Sequence, residues 1–501
     1  MGSSWRWVLV LACSVGGVWA LAAATVGGFH APAPGVLAEP FTAPAAAFLG
    51  PAPVKPQDVA LMRRTLADAA SQGLDPKALI PPGLDDLLKV TDPDRRARGE
   101  AALEEAVLHY AKAVHSGRLL PADFDKEWNL RPAPFDPRPG FQAALDQGGL
   151  AQWLADLPPR EGGYQTLIRE LAVYRDIAAR GGWTLLPPGL KLKPGVQDPQ
   201  VPALRARLAV EDSSNAPSAS DRFDPALVEA LKAFQRRHGL TDDGALGAST
   251  LAALNVPVGQ RIAQIEANLE RWRWLPESLP GDRVEVNVAG AMATLRRDGQ
   301  PVLTMKVAAG RKTDHTPMLR STIEAIVINP PWNIPQSIAD KEVLPKARAN
   351  PNYLADEDIQ VIPLPGGGQR LQQRAGPKSA LGQVKFEFDS PFGVYLHDTP
   401  VKAAFDRASR LVSHGCVRLD KPRDLAVQLL QGQGDWTADS LGAAIEAGDT
   451  SRVRLETPMP VFLLYFTTEA GPDGRVIFYP DTYGWDRMVL QKVAGRTSSR
   501  T

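Results

Sequence analysis

The chain has only two cysteines among its 501 residues. One of them, Cys13, falls in an N-terminal hydrophobic segment, so Cys416 stands alone in the remainder and cannot form an intramolecular disulfide. The chain also lacks an excess of charge of either sign. Lysine plus arginine number 56 and aspartate plus glutamate number 56, so no overall field draws the protein to nucleic acid or to an anionic surface. Binding must come from local sites. At 44% hydrophobic and 22% charged the composition is that of globular protein, and a division by about 150 residues per domain suggests roughly three domains.

What is there begins with an uncharged run from Trp7 to Phe29, long enough for about 20 residues of membrane-spanning helix. Ala20-Leu21-Ala22 and Ala22-Ala23-Ala24 are small-x-small patterns, so residues 1–30 read either as a cleaved signal peptide or as an uncleaved anchor. Both place the bulk of the chain in the periplasm or cell envelope. The apolar run before Cys13 is too short for a lipid-attachment signal. Residues 31–57 are rich in proline and alanine and read as a tether.

Residues 58–195 show helical periodicity. Ala60, Leu61, Leu66 and Ala69 make one stripe; Leu103, Ala106, Val107, Tyr110 and Ala113 make another, stopped by Gly117 and Pro121. His109 and His115 read as helix-surface residues. In residues 196–258, Asp224 is placed as an N-cap before Pro225, and Leu227, Leu231 and Phe234 form an apolar stripe ended by Gly239. A turn at Thr241–Gly244 leads to a second helix with Leu251 and Leu254. This stretch resembles the peptidoglycan-binding module of three short helices, through Phe234-Gln235, Gly239-Leu240, Asp243-Gly244, Gly247 and Thr250-Leu251. Its residues alone also allow a packing module without a ligand.

From near Asp282 the period changes to strict alternation, in VEVNV (284–288), LTMKV (303–307), TIEAIVI (322–328), VKFEF (384–388) and GVYLH (393–397). A β-rich domain is therefore expected over 282–490. Trp272 and Trp274, just before it, read as packing residues.

Alternation puts Tyr395 and His397 on one face of GVYLH. Cys416 follows His397 by 416 − 397 = 19 positions, enough for the chain to leave the strand and return beside it. An imidazole there can take the thiol proton or, as imidazolium, stabilise the thiolate. Backbone N–H groups around Gly415 are candidate donors to a developing oxyanion, and Ser413 or His414 can add a polar contact. His397 needs its other ring nitrogen held, for which a backbone carbonyl suffices. A thiol poised in this way is expected to label below its ordinary pKa of about 8.5. Zinc is disfavoured, because His414 and Cys416 have neither a second Cys pair nor a spaced His partner.

The ordered set His397, then Ser413-His414-Gly415-Cys416-Val417-Arg418, resembles the signature of the L,D-transpeptidases. NPPWNIPQSIADKEVLPKARANPNYL (329–354), GPKSALGQVKFEF (376–388) and PVFLLYFTTEAGPDGRVIFYPDTYGWD (460–486) are similar to the large subtype of that family. The resemblance implies an α+β multidomain chain with a helical scaffold, a small peptidoglycan-binding module and a mostly β catalytic domain carrying an inserted lid at about 335–376. It implies Cys416 as acyl-enzyme nucleophile, His397 as base, His414 and Gly415 shaping the site, and Arg418 near a substrate carboxylate. Arg418 has an alternative as partner of Asp420 or Asp424, and the insertion reads equally as a surface loop. Tyr395, Trp332 and Asn333 are further cleft candidates. The partners implied are peptidoglycan stem peptides, a donor tetrapeptide and an acceptor amine, by resemblance meso-diaminopimelate, with no cofactor and with inactivation by carbapenems. Water or a lipoprotein as acceptor, and an inactive wall-binding scaffold, remain alternatives. Asp398 stands where several relatives have glycine, which leaves the backbone carbonyl in place but points to a different cleft polarity.

Overall fold

The computed structural model describes residues 54–212 and 218–498. The hydrophobic segment, its cleavage patterns, Cys13 and most of the Pro/Ala tract lie outside the described residues. Among the described residues no helix is long and apolar enough to cross a membrane.

The first helix, Pro56–Ala67, starts two residues inside the stretch read as tether and buries Met62 and Leu66. Ala60 is exposed and Leu61 half-buried, so the buried face is displaced from the stripe expected. Two adjacent apolar residues leave the helical phase ambiguous, and the packing partner chooses Met62. The helix Pro93–Ser116 follows its pattern: Asp92 accepts from the Arg95 N–H at 2.8 Å, Pro93 occupies the first turn and Gly117, at φ 83°, ends it. Leu103, Ala106, Val107, Tyr110 and Ala113 all face inward.

The small helical region contains Val201–Glu211, Pro225–Arg237 and Ala248–Leu254. Asp224 caps the second by accepting from the Leu227 N–H at 2.9 Å. The three helices close over Leu204, Leu208, Phe223, Leu231, Phe234 and Leu254. Arg207 and Glu211, each with a side chain 1% exposed, pair at 2.8 Å, and His238 approaches the same carboxylate at 3.3 Å. Burial opposes the Glu211 charge, but Arg207 and His238 hold its pKa well below the usual range.

The strands are β1 (Trp128–Asn129), β2 (Arg283–Asn287), β3 (Met292–Arg297), β4 (Gln300–Gly310), β5 (Met318–Ile328), β6 (Trp332–Asn333), β7 (Ile359–Pro363), β8 (Gln369–Gln373), β9 (Val384–Phe388), β10 (Leu396–His397), β11 (Leu411–Ser413), β12 (Val417–Leu419) and β13 (Ser451–Leu464). The main sheet runs β1-β5-β13-β2-β3-β4-β12-β10-β9, and β9 returns to pair with β5. That second pairing closes the strands from β5 to β9 into a ring filled by Val286, Ile326, Phe386 and Phe462, all 0% exposed. Burying each such side chain contributes about 1.5–3 kcal/mol.

Two features depart from the strand reading. GVYLH forms a ladder only at Leu396–His397, because Gly393 adopts φ 64° and the chain enters the sheet late. The helical N-terminal region also supplies β1, which pairs parallel with Met318–Leu319 and inserts Trp128 against Trp274 and Trp485. Trp274 is fully buried and Trp272 stacks on Phe466 at 5.0 Å, as expected of packing residues.

A buried charge cluster reinforces this union. Glu270, 0% exposed, accepts from the Arg118 N–H at 2.6 Å and Arg118 Nε at 3.0 Å, with Arg273 Nη1 at 3.4 Å. A Cβ at Gly117 would lie 2.5 Å from Glu270 Oε1, so the close approach requires glycine as much as the positive φ does. Glu270→Ala leaves Arg273 buried without its carboxylate and is expected to cost about 3–5 kcal/mol. A urea titration followed by tryptophan fluorescence measures it; a loss below about 1 kcal/mol, within the range of an ordinary surface change, would contradict this role.

Candidate active site

Strands β10 and β12 run parallel and in register, Leu396 beside Val417 and His397 beside Arg418. The Val417 N–H donates to the Tyr395 carbonyl at 3.0 Å, which extends the register one step back and sets Tyr395 beside Cys416. Side-chain alternation then sends Tyr395, His397, Cys416 and Arg418 to one face, with thiol and imidazole as diagonal neighbours. All four line a cavity of about 420 Å³.

His397 is 4% exposed, and its Nδ1 lies 2.5 Å from the Asp398 carbonyl. A carbonyl only accepts, so Nδ1 carries the proton and Nε2 is left as the basic nitrogen. Burial, with Arg418 beside it, lowers the imidazole pKa to about 3. Burial also pushes the half-buried Cys416 thiol up, against the opposing influence of Tyr395, Arg418 and Lys385. The resting pair is therefore neutral thiol and neutral imidazole. Desolvation of the sulfur, set against its polar neighbours, argues against labelling below the ordinary thiol range.

Tyr395 connects the thiol to the lid. Its hydroxyl lies near enough to both Cys416 and the Trp332 indole for each to act on its acidity, Cys416 raising its pKa and Trp332 lowering it. Its ring meets His397 edge-on at 5.5 Å, and Lys385 Nζ sits 4.6 Å from the ring centre on the ring's face.

The loop preceding the cysteine is fixed from below. Gly415 adopts φ 114°, a conformation that favours glycine. Its carbonyl accepts from Thr316 Oγ1 at 2.6 Å; Thr316 Oγ1 accepts from the Gly310 N–H at 2.9 Å; and Tyr483 Oη donates to the Gly310 carbonyl at 2.5 Å. The Ser413 hydroxyl donates to the Cys416 carbonyl at 2.6 Å and accepts from the Gly415 N–H at 3.1 Å. Ser413 thus shapes the loop, and it occupies the Gly415 N–H, one of the backbone donors around Gly415 that are candidates for an oxyanion. Among the described residues the Cys416 N–H has no such acceptor.

Arg418 forms no pair with Asp420 or Asp424; it lines the cavity half-buried, with its Nε unpartnered. The Asp398 carboxylate does not alter the cleft polarity, because it turns away to accept from the Gln383 N–H at 2.9 Å and Lys402 at 2.7 Å. Asn333 lies outside the cavity lining. Its side chain accepts from Gln372 at 2.8 Å within the small sheet β6-β8-β7, where a β-strand period alone does not tell which neighbour a residue meets.

The inserted segment is a folded lid, with helices Gln336–Ile338, Leu344–Ala349 and Tyr353–Asp356 ahead of β7 and β8. It closes around Ile334, Ala339, Val343 and Leu371. Ser337, Ile338, Lys341 and Glu342 from it line the thiol cavity. Glu342 Oε1 lies 2.6 Å from His414 Nε2 and 3.8 Å from Arg311, so the lid is tied to the residue two places before the thiol. Sequence reading missed Glu342, Lys341 and Arg311, for no local pattern marks a contact made across 72 positions.

Comparison with known proteins gives three domain matches: residues 281–440 to the L,D-transpeptidase catalytic domain, 51–171 to a scaffold domain and 197–254 to a "Putative peptidoglycan binding domain". A curated "Putative L,D-transpeptidase" of Haemophilus influenzae is 32% identical over 242 residues, which are 45% of this chain and 48% of that protein. The chain spans about half the length of this curated relative. Among solved structures, an L,D-transpeptidase from Stackebrandtia nassauensis is 14% identical, covering 55% of this chain and 94% of that chain at TM-score 0.22. One from Mycobacterium smegmatis is 15% identical, covering 36% and 58% at TM-score 0.20. Scores this low bear no weight for function.

Proposed function

We propose that the protein, whose residues 281–440 match the L,D-transpeptidase catalytic domain, is a peptidoglycan L,D-transpeptidase that forms 3-3 cross-links through a thioester on Cys416. The observation that carries this reading is the in-register square of Tyr395, His397, Cys416 and Arg418 on two parallel strands, opening into a lidded cavity.

A donor tetrapeptide enters with its terminal carboxylate toward Arg418, whose Nε has no protein partner. His397 Nε2 takes the thiol proton as sulfur attacks the carbonyl joining the L-centre to the terminal D-residue. A thiolate thus forms only as it is consumed, which suits a pair that is neutral at rest. The Cys416 N–H is available to the oxyanion. The C–N bond then breaks, and His397 returns the proton to the departing D-alanine amine. In the second half the acceptor amine attacks the thioester, gives its proton to His397 and expels the sulfur, which recovers that proton. One amide is exchanged for another, so no cofactor or energy source is required.

The peptidoglycan-binding domain match supports the same substrate, and an envelope location follows from it. Incubation with purified tetrapeptide muropeptides, followed by chromatography and mass spectrometry, tests the acceptor. Dimers with a tripeptide donor and loss of one D-alanine are expected. Tripeptide monomers alone would replace this reading with an L,D-carboxypeptidase.

A further inference from the structure

A second, larger cavity of about 1090 Å³ lies where the small helical module, the helix Val258–Trp272 and the catalytic domain meet, and the acyl-transfer steps make no use of it. Exposed Ser249 and Ala252 from the module form one wall; Arg410 and Leu411 form another; Arg487 from the helix Trp485–Ser498 forms a third.

Its charge is unbalanced. The two acids in the lining are engaged within the protein: Asp486 pairs with Arg271 at 2.5 Å, and Asp481 accepts from Tyr465 Oη, the Trp485 N–H and the Asp486 N–H at 2.9–3.0 Å. Arg261 is likewise engaged, with Gln264 and the Ala253 carbonyl, and it stacks on Phe478. Arg487 is exposed and has no carboxylate partner among the described residues. Arg410 donates to the Gly290 and Ala291 carbonyls at 3.2 Å and approaches Met292 Sδ at 3.9 Å, while its Nε is unpartnered. Two guanidiniums without counter-charge therefore face a largely apolar groove, a combination complementary to an amphipathic peptide bearing carboxylates.

The groove is also close to the chemistry. Strand β11 brings Leu411 to this groove and Ser413 to the thiol cavity, a separation of two residues or about 7 Å of strand. We propose that the groove is a second substrate site, which holds the carboxylate-bearing peptide stem of a peptidoglycan strand while a stem of the same polymer reacts at Cys416. This rests on the transpeptidase reading. The site is shared by the module and the catalytic domain, so neither part alone makes it.

The test uses the full chain with two variants outside the catalytic machinery, Arg487→Glu and Ala252→Trp, the latter adding bulk to an exposed lining position. Retention on purified sacculi and turnover of a soluble tetrapeptide stem are measured side by side. Each variant is expected to weaken retention by about tenfold, equivalent to ~1.4 kcal/mol, while turnover of the soluble stem is unchanged. Arg487→Lys should recover most of the retention. Soluble stem with free carboxylates should compete for retention, and stem with amidated carboxylates should not. Unchanged retention in both variants would overturn the proposal, as would competition by peptide-free glycan but not by stem. If the unmodified protein turns over no stem at all, the transpeptidase reading itself fails; retention lost in the variants under normal turnover separates the two cases.

Discussion

On the proposed transpeptidase reading, replacing Cys416 by alanine is expected to lower transpeptidation by at least about four orders of magnitude, the scale seen when an enzyme loses its nucleophile, and to leave the fold in place. Covalent transfer has no other thiol among the described residues to use. Structural damage is small, because Cys416 is only half-buried and its loop is held through backbone groups: the Gly415 carbonyl on Thr316 and the Cys416 carbonyl on Ser413. Serine at the same position is also expected to be inert. Its hydroxyl is a far weaker acid than a thiol, and an imidazole lowered to about 3 is a weak base for it. Circular dichroism should be unchanged in both variants while product formation is lost. Cross-linking by the alanine variant at more than a few per cent of the unmodified rate would place the nucleophile elsewhere.

His397→Gln is expected to cost about 10²–10⁴ in turnover, the usual worth of a positioned general base. The pH profile carries more information than the loss. With the imidazole lowered to about 3 and the thiol raised, the acid limb of kcat/KM for the unmodified protein should lie well below the ordinary histidine value of about 6.5. Thiol alkylation should accelerate only above the ordinary cysteine range. A resting imidazolium–thiolate pair would instead alkylate fast in mild acid. Stability runs with the same sign. Between the unfolded value near 6.5 and the folded value of about 3, the unfolded chain binds a proton that the native state does not. His397 therefore makes the fold less stable as pH falls through that window, and the glutamine variant should lose that part of the slope.

Much of the candidate site's composition was legible before any geometry, and for identifiable reasons. The His397 to Cys416 arrangement is a local pattern with few competing uses. The need for a carbonyl on the second imidazole nitrogen follows from tautomer chemistry, and Asp398 supplies it. Helices with a cap, a first-turn proline and a terminating glycine, such as Pro225–Arg237, announce both ends. What was hidden depends on distant partners. Trp128 and Asn129 show no strand period, yet they extend the catalytic sheet because Met318 offers them a free edge. The sequence leaves open whether the imidazole takes the thiol proton or stabilises a thiolate, and the packing around Cys416, which pushes the thiol up, favours the first. Glu342 is one acid in a polar run until the lid folds it onto His414. Asp398 left the cleft polarity open in the sequence, and the structure turns it aside onto Lys402 and the Gln383 N–H.

The measurement closest to the central claim is intact-protein mass spectrometry after rapid quenching of the full chain mixed with a tetrapeptide stem and no acceptor. A single adduct equal to the donor less its terminal D-alanine is expected, mapping to Cys416, released by an added amine and absent from the Cys416→Ala variant. Stem turnover without that adduct, or an adduct that persists when Cys416 is replaced, would contradict the claim.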